Sequence, residues 1–244
     1  MFETLTPFQL SASAAVLAIA FVVRGVAGFG SGLIAVPLLS LMLPLSLVVP
    51  LMVFLDYIAS LGHGISKREA IRWNEILPLI PFSIAGMVIA LIFISRADVV
   101  LLTRALGAFI ILFAVYTLSG YSPKAGAARG WGGLAGFSGG MIGTLFGTGG
   151  PFYVTYFKAR GLDKTAFRTT LAVTFLLDGT GRLLGFTMSG YFDYDFFKLI
   201  ALALPIMAVF MYIGGHIHTK LTHEQFQRAI SVLLILSGTV LLFK

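Results

Sequence analysis

The stretch Gly143-Thr144-Leu145-Phe146-Gly147-Thr148-Gly149-Gly150-Pro151 lies inside a long apolar run and decides how the rest of the chain is interpreted. Its glycines are unfavourable in a helix interior, and its proline lacks the backbone N–H that a helix needs. An earlier apolar run contains a similar stretch, Gly25-Val26-Ala27-Gly28-Phe29-Gly30-Ser31-Gly32, followed by Pro37. We therefore expect a helix that is broken in the middle at both places.

The composition around these breaks is that of a membrane protein. Of the 244 residues, 58% are apolar and 11% are charged, and the mean hydropathy is +0.96. Soluble domains carry about 25% charged residues, so lipid must be the solvent for much of this surface. The net charge of +7 is typical of loop cations that set membrane orientation, and no nucleic-acid partner is expected. The chain has no cysteine, which excludes disulfides and thiolate metal sites.

Six further apolar runs are long enough to cross a bilayer, which takes about 20 residues. They cover roughly 45–65, 75–95, 99–119, 167–190, 196–216 and 226–243. The order of one broken stretch followed by three spans occurs twice, with Asp56 and Asp178 at matching positions. The sequence therefore predicts an all-α polytopic fold with about eight membrane segments. Residues 1–121 form the first repeat, 122–130 a cytoplasmic linker, and 131–244 the second repeat.

The distribution of lysine and arginine indicates how the repeats are oriented. If each broken stretch enters and leaves on one side as a re-entrant hairpin, 11 of these cations lie on one face and 4 on the other. If each stretch crosses once, the split is 7 against 8. Because cytoplasmic loops carry the excess of cations, hairpins are favoured, with both termini outside. Each repeat then crosses an odd number of times, so the repeats must be inverted, as in many secondary transporters.

The two breaks are candidate elements of an anion site. Non-helical backbone at membrane depth persists only where it is buried in protein or lines a cavity, and the N-terminus of a half-helix attracts anions. The candidate substrate-binding residues at the breaks are Gly30, Ser31, Gly32, Gly147, Thr148, Gly149 and Gly150. We expect them to line one central cavity, and we expect Gly149→Val to abolish binding while leaving the fold largely intact. Gly132, Gly133, Gly136, Gly139 and Gly140 are interpreted as helix-packing positions.

Four ionisable residues lie inside apolar runs, where each charge is costly. Asp178 and Arg182 are four residues apart and can pair on one helix face. Arg24 precedes the first break without an acidic neighbour on its own helix, so it is expected to be the freer cation. Its planar guanidinium suits an oxyanion, and both arginines are candidate substrate ligands. Asp56 is a candidate for carrying a coupling proton or for capping a polar cavity.

The histidines give a weaker signal. His63 lies near the end of a span and joins Asp56 and Asp178 as a candidate for coupling. His216, His218 and His223 cluster near a loop, where they are expected to be solvated. No spacing resembles a zinc or calcium site, so no metal or other cofactor is expected.

The motifs resemble those of the sulfite exporter TauE/SafE family of permeases. The matching stretches are Gly28-Phe29-Gly30-Ser31-Gly32-Leu33-Ile34-Ala35-Val36-Pro37-Leu38-Leu39, then Gly143–Phe152, and Gly161-Leu162-Asp163-Lys164-Thr165-Ala166-Phe167-Arg168-Thr169-Thr170. The resemblance covers essentially the whole chain and implies transport of sulfur-containing anions, either sulfite or organosulfonates. Two departures alter the lining of the expected site: Ser31 stands where glycine is common, and Pro151 follows Gly150 directly.

The favoured function is a secondary transporter in the inner membrane that exports a small sulfur-containing anion. An anion channel is the alternative, because a glycine-lined pore needs no alternating states. An intramembrane serine protease is the enzyme alternative, with Ser138 of Gly136-Phe137-Ser138-Gly139 as nucleophile and His216 as base. It is disfavoured because Asn74, in a loop, is the chain's only asparagine and no side-chain oxyanion donor is available. Transport direction, coupling ion and oligomeric state, a homodimer included, stay open.

Overall fold

The computed structural model describes residues 6–64, 68–120, 126, 128–217 and 223–244. Every regular element in these residues is helical, so the predicted all-α fold is confirmed. The helices are α1 Pro7–Ala27, α2 Ser31–Ser40, α3 Leu45–Gly64, α4 Trp73–Ile76, α5 Ile80–Ile94, α6 Val99–Leu118, α7 Trp131–Phe146, α8 Gly150–Ala159, α9 Lys164–Met188, α10 Tyr194–His216 and α11 His223–Phe243. A 3-10 turn, Arg68–Ala70, precedes α4.

Several helices begin at side chains that cap their free backbone N–H groups. Thr6 and Gln9 form a reciprocal capping box at the start of α1, with Pro7 in the first position. Asp98 caps α6 and Asp163 caps α9. The backbone N–H groups that donate to Asp163 lower the pKa of that carboxyl below its usual value. The cap of α9 is therefore charged at neutral pH.

The prediction of one membrane span over residues 75–95 is wrong at the N-terminal end of that span. The helix α4 ends at Ile76 and α5 begins at Ile80, with a turn between them. Pro78 cannot donate the backbone hydrogen bond that a continuous helix requires, whereas Pro81 fits the first turn of α5. A short helix and a longer apolar helix therefore replace the single span.

The chain leaves helical geometry at both glycine-rich stretches. Gly28 and Gly30 have φ of 84° and 99°, and Gly147 has φ of 64°; a side chain would be strained in this left-handed region. The N–H of Gly28 donates to the carbonyl of Arg24, and the N–H of Gly147 donates to that of Gly143. The same type of cap thus ends α1 and α7.

Membrane-length apolar helices are present in the described residues. Three are long and apolar enough to cross a bilayer: Pro7–Ala27, Val99–Leu118 and Phe196–His216. Shorter apolar helices cover Ser31–Ser40, Leu45–Leu61, Ile80–Ile94 and Arg228–Phe243. This pattern is that of a polytopic membrane protein.

One compact unit of the chain contains α1, α2, α6, α10 and α11. Here α6 and α11 are in close contact, since a Cβ on Gly107 would lie 2.7 Å from the carbonyl of Gly238. Gly107 also faces Leu242, whereas Gly238 faces Ile111, so the two helices run antiparallel. The ammonium of Lys244, after α11, donates to the carbonyl of Ser40 at 2.9 Å. The C-terminal ends of α2 and α11 therefore lie together.

A second compact unit contains most of α3 together with α4, α5, α7, α8 and α9. In this unit α5 and α7 pack backbone against backbone. A side chain at Gly136 would overlap the backbone of Leu79, and one at Gly140 would overlap that of Ser83. The predicted packing role of these two glycines is confirmed, and the order of the contacts makes α5 and α7 parallel.

Within the second unit, α7 and α8 form a hairpin. The N–H of Gly126, ahead of α7, donates to the carbonyl of Ala159 at the end of α8, at 2.9 Å. Arg129, just before α7, and Arg160, just after α8, both contact Glu75. The start of α7 and the end of α8 therefore lie at the same end of the hairpin.

The compact units combine helices from both predicted repeats. In the second unit, α5 of the first repeat packs on α7 of the second repeat. In the first unit, α10 of the second repeat packs on α1 of the first. The division into repeats 1–121 and 131–244, with a linker between them, stays a prediction about sequence equivalence.

Candidate functional site

The break between α7 and α8 is the centre of the candidate site. Gly147 ends α7, and α8 begins at Gly150 with Pro151 in its first turn. The backbone N–H groups at a helix start carry partial positive charge. Gly149 packs so closely on α7 that a Cβ there would overlap the carbonyl oxygen of Gly139. The expectation that Gly149→Val leaves the fold intact is therefore wrong, because a rigid backbone atom would have to move.

The guanidinium of Arg182 lies against this break. A side chain at Gly143 would overlap the guanidinium, and a Cβ at Gly149 would lie 2.9 Å from its Nη2. Nη2 donates to Asp178 and, at 3.3 Å, to the carbonyl of Gly139. The pairing of Asp178 with Arg182, expected from their spacing, is present, and both side chains are buried. The glycines of α7 and of the break thus make room for a cation.

Two residues that the sequence did not single out hold Asp178 in place. The hydroxyl of Ser83 on α5 donates to Oδ1 of Asp178 at 2.5 Å. The phenol of Tyr153 on α8 lies 3.2 Å from the Ser83 hydroxyl, and either oxygen can be the donor. Both residues are buried. A polar serine in the apolar run of α5 was the available signal, but its partner could not be read from the sequence.

Two buried polar atoms at this site have no hydrogen-bond partner among the described residues. They are Oγ1 of Thr148, which is 2% exposed, and Nε of Arg182. Burying an unpaired polar group typically costs about 1–3 kcal/mol, and such groups in a folded protein call for an explanation. A hydroxyl and a guanidinium N–H near the start of a helix can donate to an anionic oxygen.

Asp56 is also near this network. It lies on α3 and interacts electrostatically with Arg182. The structure therefore brings Asp56, Asp178 and Arg182 together in the second unit. The side chain of His63, the other candidate for coupling, lies outside the described residues.

The first unit holds the other break and its arginine. Nη1 of Arg24 donates to the hydroxyl of Ser31 at 3.0 Å, across the break. Arg24 is 5% exposed, and Ser31 and Gly32 are buried. The reversal of the chain at Gly28–Gly30 brings the hydroxyl of Ser31 within reach of Arg24, whereas Arg182 is paired with Asp178 and its Nε has no partner among the described residues. Which of the two arginines is the freer cation stays a prediction.

The two breaks have a similar cation arrangement, built from different helices. Arg24 and Gly143 occupy the same position, four residues before the glycine that ends each helix. Gly143 has no side chain, and the guanidinium of Arg182, which comes from α9, occupies the space that a side chain there would fill. Each break therefore has one guanidinium beside its last helical turn.

A second polar cluster lies at the ends of the α7–α8 hairpin. Glu75 on α4 accepts two hydrogen bonds from Arg160, at 2.8 and 3.0 Å, and one from the phenol of Tyr156 at 2.8 Å. Arg129 adds a longer contact of 3.3 Å. Burial raises the pKa of Glu75, but the hydrogen bonds from Arg160 and Tyr156 outweigh it and hold that pKa below its usual value. The carboxylate thus joins both limbs of the hairpin to the helix pair α4–α5.

The histidines do not form a metal site in the part of the chain that the structure describes. A search of those residues finds no group of three or more His, Cys, Asp or Glu able to hold a metal ion. The ring of His216 lies 2.9 Å from the carbonyl of Tyr212, one turn earlier on the same helix. His218 and the side chain of His223 lie outside the described residues.

These features are those of a polytopic membrane protein whose apolar helices are interrupted at two glycine-rich breaks in the described residues. The chain matches the model of the family "Sulfite exporter TauE/SafE" over residues 13–241. It belongs to this family of membrane transporters. It is also 28% identical, over 192 residues, to "Probable inner membrane transporter protein TsaS" from Comamonas testosteroni, which covers 77% of this chain and 80% of that relative. No solved structure matches. The family and this relative indicate a transporter rather than an enzyme.

Proposed function

We propose that this chain is a secondary transporter that binds sulfite or a small organosulfonate at the break between α7 and α8 and exports it across the inner membrane. The observation that carries the proposal is the pair of buried, unpartnered donors at this break, Oγ1 of Thr148 and Nε of Arg182. An anionic oxygen satisfies both atoms and removes the cost of burying them unpaired.

The geometry of the donors suits a compact anion with three oxygens. The guanidinium of Arg182 comes from α9, whereas the hydroxyl of Thr148 and the N–H of Gly150 lie at the start of α8; Pro151 has no N–H, and that of Phe152 donates to the carbonyl of Gly149. Sulfite and sulfonates present three equivalent oxygens in a pyramid and can accept from all three. Glycine at positions 147 and 149 permits the positive φ of the break and its close packing on α7, which brings the backbone of the break beside Arg182.

The residues at the first break are proposed as a second group of substrate ligands. Arg24 and Ser31 already share a hydrogen bond, so an anion there accepts from a donor set that is held in place. The matched substitutions Arg24→Lys and Arg182→Lys test the two breaks separately, because each retains the charge and removes the planar donor fork. If only one of them affects binding, the substrate uses one break.

We further propose the inverted-repeat topology with both termini outside. Two observations support it. The helices α6 and α11, which are the third spans of the two repeats, run antiparallel, as inverted repeats require. The hairpin of α7 and α8 returns to one side, and the arginines at its two ends belong to the basic face that the positive-inside rule places in the cytoplasm.

Transport by protein reconstituted into liposomes tests the function. Uptake of radiolabelled sulfite or methanesulfonate should saturate and show counterflow, which a channel does not. Thr148→Val keeps the shape of the side chain and removes the hydroxyl. A hydrogen bond to a charged group contributes about 1.5–3 kcal/mol, so affinity should fall about tenfold or more. Thr144→Val is the control, because the hydroxyl of Thr144 already donates to the carbonyl of Gly140. Equal affinities for the two variants would contradict the assigned site.

A further inference from the structure

We propose that Asp178 takes up one proton with each anion that binds at the second break, so that transport of a monovalent anion is electroneutral. The proposal rests on the proposed function, since it concerns the same site. It begins from the position of Asp178, which is 7% exposed and receives a donor on each carboxylate oxygen. Ser83 donates to Oδ1 and Arg182 to Oδ2.

Among the described residues, the charged groups that face Asp178 include no second cation for a substrate. On α9 the facing charge is Arg182, which Asp178 already neutralises. On α8 the facing titratable group is the phenol of Tyr153, and on α5 the facing group is the neutral hydroxyl of Ser83. On α3, Asp56 adds an acidic group that interacts with Arg182. The described part of α7 has no titratable residue and offers the carbonyl of Gly139.

An anion that binds beside Arg182 therefore adds a negative charge to one buried guanidinium that is already paired with Asp178 and interacts with Asp56. Burying an uncompensated charge is strongly unfavourable. A proton on Asp178 removes the competing charge and frees Nη2 of Arg182 to donate to the substrate. The buried pair then becomes a neutral acid beside an arginine–anion pair.

The hydrogen bonds at Asp178 can accommodate this proton. Hydroxyl groups both donate and accept, and the contact between Ser83 and Tyr153 can run in either direction. In the ionised state Ser83 donates to Oδ1. In the protonated state Oδ1–H donates to the Ser83 oxygen, and Ser83 donates in turn to Tyr153. The proton on Oδ1 thus has an acceptor in Ser83, whereas the O–H of Tyr153, which donates to Ser83 in the ionised state, gives up that acceptor.

The proton follows the substrate through the cycle. It comes from water on the side where the anion enters, forms the O–H bond on Asp178, and is released as that bond breaks when the anion leaves. One negative and one positive charge cross together. The direction of net transport then follows the combined gradients of anion and proton and is insensitive to membrane potential.

Methanesulfonate uptake into proteoliposomes tests this inference, because a sulfonate keeps its charge between about pH 5 and about pH 8. One proton per anion makes the affinity fall about tenfold per pH unit over the range of uptake. Lumenal acidification should accompany uptake, and an imposed potassium diffusion potential should not change its rate. Uptake that saturates but moves no proton, or that follows the potential, overturns the inference and leaves the proposed function standing. The absence of saturable uptake at every pH overturns the proposed function itself.

Asp178→Asn tests the assignment to this residue. The neutral side chain mimics the protonated acid, so the variant should bind methanesulfonate with little dependence on pH and exchange it without moving protons. Asp193→Asn, at an exposed carboxylate, is the control and should keep the wild-type pH slope. If Asp56→Asn loses the slope and Asp178→Asn keeps it, the assignment is wrong. Should Asp178→Asn not fold, the wild-type pH slope and lumenal pH still decide whether a proton is carried.

Discussion

Replacing Glu75 with glutamine should destabilise the α7–α8 hairpin that carries the candidate site. The carboxylate of Glu75 is 9% exposed and accepts two hydrogen bonds from Arg160 and one from Tyr156, all at 3.0 Å or less. Glutamine keeps the size of the side chain but removes the charge and one of the two acceptor oxygens. The two limbs of the hairpin then lose their shared ionic partner.

The magnitude follows from these contacts. A hydrogen bond to a charged group contributes about 1.5–3 kcal/mol and a neutral one about 0.5–1.5 kcal/mol. Neutralising Glu75 therefore costs about 1 kcal/mol for each of the three short bonds. The contact with Arg129 is long, at 3.3 Å, and that side chain is 59% exposed, so it adds little. We expect Glu75→Gln to lower the free energy of unfolding by about 3 kcal/mol.

Thermal unfolding of the detergent-solubilised protein measures this loss. Glu69→Gln, an exposed glutamate on the turn just before α4, is the matched control and should change stability little. A double-mutant cycle with Arg160→Gln isolates the Glu75–Arg160 contact, because a real interaction makes the two losses non-additive. If Glu75→Gln is as stable as Glu69→Gln at neutral pH, Glu75 does not hold the hairpin together.

The pH dependence of this effect has a defined sign. Hydrogen bonds from Arg160 and Tyr156 hold the pKa of Glu75 below its ordinary value of 4.5. A carboxyl with a depressed pKa stabilises the fold at pH above its unfolded pKa, and this contribution is lost as the pH falls through the folded pKa. The difference between wild type and Glu75→Gln should therefore be full at neutral pH and shrink below about pH 4.5. A difference that stays constant into acid would show that charge is not its origin.

Three other changes have clear expected outcomes. Gly149→Val should prevent correct folding, which size-exclusion chromatography detects as loss of the monodisperse species. Gly150→Ala is the control and should fold, because a Cβ at Gly150 meets only the ring of Phe175, at 3.3 Å. Gly107→Val should separate α6 from α11 and lower the free energy of unfolding by about 1–3 kcal/mol, measured by thermal unfolding. Cysteine at Lys164 should react in intact cells only with membrane-permeant reagents, and labelling by an impermeant reagent would contradict the proposed cytoplasmic position of that loop.

Much of the local structure could be predicted from the sequence. Glycine clusters and proline act on their own backbone, so the interruptions after Ala27 and Phe146 are visible without any tertiary contact. The pairing of Asp178 with Arg182 is equally local, because residues four apart on a helix are neighbours. Helix packing by Gly136 and Gly140 follows from the same reasoning about small side chains.

The contacts that complete the site could not be predicted, because they join residues far apart in the chain. Ser83 reaches Asp178 across 95 positions, and Glu75 reaches Arg160 across 85. The sequence shows that such residues are costly in an apolar run, but it does not show which partner satisfies them. The interpretation of Gly149 failed for the same reason, since its close neighbour Gly139 is found only once α7 and α8 are folded against each other.

The mixing of the two halves of the chain within each compact unit has a consequence for biosynthesis. When the ribosome has completed α1, α2 and α6, their packing partners α10 and α11 do not yet exist. The backbone surfaces around Gly25 and Gly107 later contact α10 and α11. They stay uncovered in the translocon or the lipid until these last helices are inserted. Neither half is a complete folding unit, so an ancestor consisting of one half would have needed a second copy to bury the same surfaces. The first unit cannot close until α11 at the end of the chain has been translated.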